Sequence, residues 1–258
     1  MDPLALASLV LAGAVGGALN SVAGGGSFVV FPTLVLAGIT PVSANATTTV
    51  GLWPASAASA YAYRRELPKD RRLVAVLAAS SLVGGLLGAL LLLRTSDTTF
   101  ARIIPVLIAI AASLFTFGPR IQKAIRARRP AQQENGARSL ALAALLQLGI
   151  ATYGGYFGGG MGILMLATFS LVGLSDMHTM NGLKNVLGTV LNGVAIVAFV
   201  FAHEIHFAPA LAVAVGGVVG GFGGASIARR FPADRVRNAV VVFAWAMVVY
   251  FSWRAYAR

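Results

Sequence analysis

Apolar residues run in long blocks along this chain, and polar or basic residues are confined to short intervals between them. A bilayer-spanning α-helix needs roughly 20 predominantly apolar residues. Stretches 4–19, 46–63, 73–93, 103–118, 140–156, 186–202, 208–228 and 236–256 reach or approach that length. A membrane β-barrel would instead read as short alternating strands, and the sequence has none of that pattern. The reading is an all-α, polytopic membrane protein of about eight membrane segments.

The blocks also repeat. Val83-Gly84-Gly85-Leu86-Leu87-Gly88-Ala89 matches Val219-Gly220-Gly221-Phe222-Gly223-Gly224-Ala225 at an offset of 136, which also pairs Asn45 with Asn181 and Val50 with Val186. Gly24-Gly25-Gly26 pairs with Gly158-Gly159-Gly160 at an offset of 134. Two membrane repeats, 1–119 and 139–258, therefore flank a basic linker, 120–138. Each repeat reads as a helix, a glycine break, a short apolar segment and three further spans. Loop charges orient them. The interval 64–72 carries Arg64, Arg65, Lys69, Arg71 and Arg72, whereas its partner His203-Glu204-Ile205-His206 carries no Lys or Arg. In the next pair, 94–102 holds two arginines and 229–237 holds four. Cytoplasmic loops carry the Lys/Arg excess, so matched loops lie on opposite sides, the repeats are inverted, and the linker is cytoplasmic. Arg254 and Arg258 then fall outside, against the rule. Inverted repeats with broken helices are a recurrent plan of secondary transporters.

Composition agrees with lipid as the solvent. The chain is 57% hydrophobic and 11% charged, with a mean hydropathy of +0.80, against about 25% charged residues in soluble domains. The net charge of +12 sits in short loops, where membrane topology puts it, and does not call for nucleic acid. The absence of cysteine excludes disulfides and thiolate metal sites. The start, MDPLALASLVLAGAVGG, lacks a positive n-region, so no cleaved signal is expected, and the expected location is the cytoplasmic (inner) membrane.

Two elements could carry chemistry. The first comprises Gly24, Gly25, Gly26 and Ser27, mirrored by Gly158, Gly159 and Gly160. Consecutive glycines interrupt a helix, and unwound backbone at membrane depth is tolerated only in protein or beside a cavity. A half-helix beginning there offers N–H groups and a positive dipole end to an anion. Close helix packing is the alternative use of such glycines. The second element follows each break: Asn45, Thr47, Thr48 and Thr49 in the first half, Asn181, Lys184 and Asn185 in the second. At the 136 offset Thr48 faces Lys184 and Thr49 faces Asn185. Hydroxyl, amide and ammonium donors could replace the hydration shell of an oxyanion. Lys184 is the sole Lys or Arg inside the run that opens a span, although it stands close enough to the helix start to snorkel. Asn192, further in, serves equally as a helix–helix hydrogen-bonding residue.

The eight acids, Asp2, Glu66, Asp70, Asp97, Glu134, Asp176, Glu204 and Asp234, all fall at loops or span ends. A cation carrier normally needs one within a span, so an anion is favoured. His203-Glu204-Ile205-His206 does not match the zinc-protease spacing and reads as a wet loop, so no metal or other cofactor is expected. His178 beside Asp176 is a candidate for coupling to protons. Neither a nucleotide-binding P-loop nor a catalytic constellation lies in the spans, which points away from an enzyme. Oligomerisation with further copies is left open.

Gly16-Gly17-x-x-Asn20-x-x-Ala23-Gly24-Gly25-Gly26-Ser27-Phe28, Pro32-Thr33-Leu34 and Gly38-Ile39-Thr40-Pro41-x-x-Ala44-Asn45-Ala46-Thr47 together resemble the TauE/SafE family of sulfite exporters and related permeases. Asn181-Gly182-Leu183-Lys184-Asn185-Val186-Leu187, Asn192 and the glycine-rich span 216–225 are similar too. The resemblance covers essentially the whole chain. It implies movement of sulfite, sulfonates or other sulfur-containing organic anions across the cytoplasmic membrane, with the two glycine and polar elements lining the site. The second half has no proline matching Pro32 or Pro41, and Leu183-Lys184 replaces small hydroxyl residues, so the halves contribute unequally. Alternating access is the expected mechanism, with an anion channel as the alternative.

Overall fold

The computed structural model describes residues 3–22, 25–127, 137–228 and 233–256, and these are helical with no strand among them. The helices are α1 (Pro3–Val22), α2 (Ser27–Leu36), α3 (Pro41–Ala62), α4 (Arg71–Leu93), α5 (Asp97–Ala127), α6 (Ala137–Tyr156), α7 (Met161–Leu171), α8 (Met177–Phe201), α9 (Phe207–Ala228) and α10 (Ala233–Tyr256), with a 3₁₀ turn at Arg64–Glu66. Segments Pro3–Asn20, Arg71–Leu93, Asp97–Gly118 and Met177–Phe201 are long and apolar enough to cross a bilayer, and shorter apolar stretches lie in α2, α6, α7, α9 and α10. Large side chains such as Leu11, Leu145, Phe201 and Val249 point outward, as lipid requires. The chain is thus a multi-pass helical membrane protein.

Why the helices begin where they do is local chemistry. Pro41 opens α3, where its missing N–H costs nothing, and the following Val42 N–H is received by the Asp97 carboxylate at 2.9 Å. Asp70 caps α4 by accepting from Arg72 and Leu73. Helix α5 continues through Ala127, well into the segment read as a linker. The remainder of that segment, 128–136, lies outside the described residues.

Glycine decides the helix pairs. Helix α1 packs on α9, and α6 packs on α4. Gly13 and Gly17 of α1 meet the backbone of Val213 and Gly217, while Gly216 and Gly220 of α9 meet Val10 and Ala14. In the other pair, a β-carbon on Gly84 would sit 2.6 Å from the Leu148 carbonyl oxygen. Small residues spaced by four let backbones touch in lipid, where dispersion replaces the hydrophobic effect as the driving force. One polar link crosses this second pair: the buried Gln147 amide donates to the Ser81 hydroxyl at 2.8 Å.

Helices α3 and α8 run antiparallel through the middle. The Thr47 hydroxyl near the start of α3 accepts from the His206 N–H just beyond α8, and Gly182 near the start of α8 abuts Tyr63 and the Glu66 carbonyl after α3. Short α2 is held in an aromatic cage. Its Phe31 ring stands 6.4 Å from Phe100, 5.9 Å from Phe157 and 6.0 Å from Phe251.

Candidate functional site

The helix path is broken at Gly25 and Gly26 in the first half and at Gly158–Gly160 in the second, by different geometry. In the second half Gly158 and Gly160 have φ of +82° and +77°, a region that L side chains rarely adopt. The Tyr153 hydroxyl fixes this turn by donating to the Gly159 carbonyl at 2.6 Å. In the first half Gly26 is right-handed, with φ −58°. What requires glycine there is space: a β-carbon would overlap the Gly16 carbonyl of α1 and stand 3.2 Å from the Asn20 Cβ. Gly25 is buried beside it and Ser27 is half-buried as the first residue of α2. Gly24 lies outside the described residues.

The polar run of α3 turns largely to its own packing. The Asn45 amide donates to the Tyr156 carbonyl at 3.1 Å. The Thr48 and Thr49 hydroxyls donate to the carbonyls of Ala44 and Asn45, one turn back. Such bonds satisfy hydroxyls that find no water at membrane depth. Ser43 donates to the Glu204 carboxylate. These contacts gather at one end of the bundle.

Lys184 and Asn185 have a different setting. They line a small polar cavity between four helices, together with Asn20 of α1, Ser56 and Ser59 of α3, Met161, Gly162 and Met165 of α7, and Gly188 and Asn192 of α8. Lys184, Gly188 and Asn192 recur every four residues and so share one face of α8. The lysine stem crosses Gly162, where a β-carbon would come within 3.1 Å of its Cδ. The cavity holds about 50 Å³, against roughly 10–15 Å³ needed for one water. Asn20 donates to the Ser56 hydroxyl at 3.1 Å, and Ser56 and Ser59 donate to the carbonyls of Leu52 and Ala55. No carboxylate lines the cavity. Among the described residues the half-buried Lys184 ammonium has neither a hydrogen-bond nor an ionic partner.

Of the residues singled out from sequence, the cavity brings together Lys184 and Asn185. It does not include Gly25, Gly26, Ser27, Asn45, Thr47, Thr48, Thr49, Gly158, Gly159, Gly160 or Asn181. The second glycine break nevertheless positions it, because Met161 and Gly162 follow Gly160 directly. Asn181 is half-buried in the opening turns of α8. His178 and Asp176 are exposed at that helix start. The Asp176 carboxylate accepts from the Thr179 N–H at 2.7 Å, and this bond holds its pKa below the ordinary carboxylate value, with the Thr179 side chain and His178 adding to the effect. Asn20, Ser56, Ser59, Met161 and Met165 escape sequence reasoning as pocket residues, since serine and methionine in apolar helices read as packing. Ser56 did carry a signal, for it stands at the 136 offset from Asn192.

A bundle of mostly apolar helices enclosing a pocket with one cation, three amides and two hydroxyls is the layout of a membrane transporter for a small polar solute. The chain belongs to the TauE/SafE family: residues 9–251 match the model described as "Sulfite exporter TauE/SafE". It is similar to the probable membrane transporter protein YfcA of Escherichia coli K12, with 24% identity over 250 residues covering 96% of this chain and 89% of that one. A probable membrane transporter protein of Haemophilus influenzae is 26% identical over 244 residues, covering 94% and 92%. No solved structure matches.

Proposed function

We propose that this protein is a secondary transporter that carries a small anion, sulfite, a sulfonate or another sulfur-containing organic anion, across the cytoplasmic membrane by alternating access between two inverted halves. The observation that carries the reading is Lys184: a half-buried ammonium on a carboxylate-free polar cavity, with no partner among the described residues. A cation inside a membrane bundle is costly unless paired. A bound anion supplies the missing charge, and Asn20, Asn185 and Asn192 supply neutral N–H donors. The Ser56 and Ser59 hydroxyls can rotate from their backbone carbonyls to join them.

Alternating access is supported by how the elements meet. Each long pairing has a counterpart in the other half: α1 on α9 with α6 on α4, and α3 on α9 with α8 on α4. At the bundle end away from Lys184, the Ser43–Glu204 and Thr47–His206 bonds tie α3 to the α8–α9 loop. Breaking them would open a path on that side. A proton remains the candidate coupling ion, with His178 and Asp176 outside the cavity.

Reconstitution into liposomes tests the proposal. Labelled sulfite should show saturable counterflow, stimulated by unlabelled sulfite on the far side. Anion conductance without exchange would replace the carrier with a channel. Lys184→Ala should abolish counterflow at low sulfite, and Lys184→Arg should retain part of it. Equal apparent affinity in all three proteins would remove Lys184 from the site.

A further inference from the structure

The surface between α5 and α10 has features that transport does not use. A hollow of about 560 Å³ follows this pair, lined by Val106, Ile110, Leu114 and Phe117 of α5 and by Val248 and Ser252 of α10. A second hollow, of about 300 Å³, is lined by Ile39, Ile104, Phe251 and Arg254 among others. They lie on different flanks of the same helix pair, since α5 turns Ala101 and Ile104 to one and Val106 and Ile110 to the other. The larger one runs from Pro105 to Ile121, roughly 24 Å at 1.5 Å per residue. One leaflet of hydrocarbon is about 15 Å deep, so an acyl chain fits along it.

The smaller hollow carries a cation, Arg254, at the last turn of α10. Arg254 is exposed in the last turn of α10, and among the described residues its guanidinium reaches only the Tyr250 hydroxyl, at 3.4 Å. No acid lines the smaller hollow, and the acids near the start of α3 are bonded there, Asp97 to the Val42 N–H and Glu204 to Ser43. Arg102, also exposed, adjoins the same end, where the Tyr256 hydroxyl donates to its carbonyl at 2.8 Å. Trp253 and Tyr256 face outward at 65% and 64% exposure, and such aromatics mark headgroup depth. A cation at a helix C-terminus is favoured by the dipole alone, but the dipole does not account for two hollows that both reach the last turn of α10, the smaller at Arg254 and the larger at Tyr256.

We infer that the α5–α10 pair is a binding site for one anionic phospholipid, with an acyl chain in each hollow and the phosphate at Arg254. Guanidinium groups bind phosphate oxygens in a bidentate manner, and apart from Arg254 the side chains lining the hollows are mostly apolar. The occupant is bulk-membrane lipid of net negative charge rather than a zwitterionic one, since a choline group would meet Arg254 and Arg102 unfavourably.

The test uses the purified full chain in detergent, titrated with phosphatidylglycerol or phosphatidylcholine of identical acyl chains, with the melting temperature and lipid retained in native mass spectrometry as readouts. The native protein should favour phosphatidylglycerol by about fivefold or more, a factor set by roughly one basic residue at headgroup depth. Arg254→Gln should erase the preference without altering the melting temperature in phosphatidylcholine, and Arg254→Lys should keep most of it. Glycerol phosphate, which has the charge but no chains, should not stabilise. Equal retention of both lipids, or an unchanged preference in Arg254→Gln, overturns the inference. So does a stable dimer that Ser252→Trp dissociates, because the hollows would then be covered by a second copy.

Discussion

The indole N–H of Trp53 donates to the main-chain carbonyl of Thr189 at 3.0 Å, and the two residues are 136 positions apart, the same offset that aligns the halves. In the proposed arrangement of two inverted halves, a residue that touches its own counterpart would lie beside the axis relating them. Because α3 and α8 are antiparallel at this crossing, such an axis runs across the helices and not along them. That is the geometry inverted repeats require.

Single-cysteine labelling tests this orientation on a clean background, since the chain contains no cysteine. Lys69→Cys, in the loop after α3, should react with a membrane-impermeant maleimide only from the cytoplasmic side. His206→Cys, in the matched loop after α8, should react only from outside. Labelling of both from one side would rule the inverted arrangement out.

The α4–α6 contact should be intolerant of added volume. A β-carbon on Gly84 meets the Leu148 carbonyl oxygen at 2.6 Å and the Ala151 Cβ at 2.7 Å. Backbone cannot give way as a flexible side chain can, so Gly84→Val should cost about 1–3 kcal/mol, read as a lower detergent melting midpoint. Gly149 has open space around its Cα, so Gly149→Ala should be neutral or slightly stabilising through helix propensity.

Much of this fold was legible from apolar block length and glycine spacing. The break at Gly158–Gly160 was readable because three glycines disfavour helix by themselves, and the structure ends α6 at Tyr156 and restarts at Met161. The boundary after α5 was less legible: Arg120 and Lys123 look like loop composition, yet helix α5 carries them onward to Ala127. The cavity was harder still. Lys184 stood out because a charge in a span is expensive, whereas Ser56 and Ser59 look like ordinary small residues of α3. Only the approach of α1, α7 and α8 turns them into pocket lining. Thr48 and Thr49 illustrate the converse, since a hydroxyl beside the helix carbonyl one turn back bonds locally whatever its sequence position suggests.

Acid should loosen the start of α8. The hydrogen bond from Thr179 lowers the Asp176 pKa in the folded protein. The cap's contribution is therefore complete above the ordinary carboxylate value of about 3.9 and fades as pH falls through the lowered folded value. At neutral pH, Asp176→Ala should melt below the native protein, and the gap should close in strong acid. Asp176→Asn, which still accepts from the amide, should show little pH dependence across that range. A native-minus-alanine gap that stays constant into strong acid would remove the carboxylate from the explanation.

The Ser43–Glu204 bond should act as a closure on the side of the bundle away from Lys184. Glu204 is half-buried in the α8–α9 loop and accepts from the Ser43 hydroxyl, while Thr47, one turn further along α3, accepts from the His206 N–H at 3.1 Å. Both contacts join residues of the first half to residues of the second. In the proposed alternating-access cycle, a movement that separates α3 from the α8–α9 loop breaks both. Glu204→Ala removes the charge-assisted acceptor, a bond worth about 1.5–3 kcal/mol, and should shift the population toward a state open on that side. A cysteine at position 47 would then react faster with an impermeant maleimide added from the His206 side. Glu204→Gln keeps an acceptor and should fall between the two. Identical reactivity in the native protein, Glu204→Gln and Glu204→Ala would mean that this end is not held by the pair, and the closure would have to be sought elsewhere, beginning with the Asp97 cap on Val42.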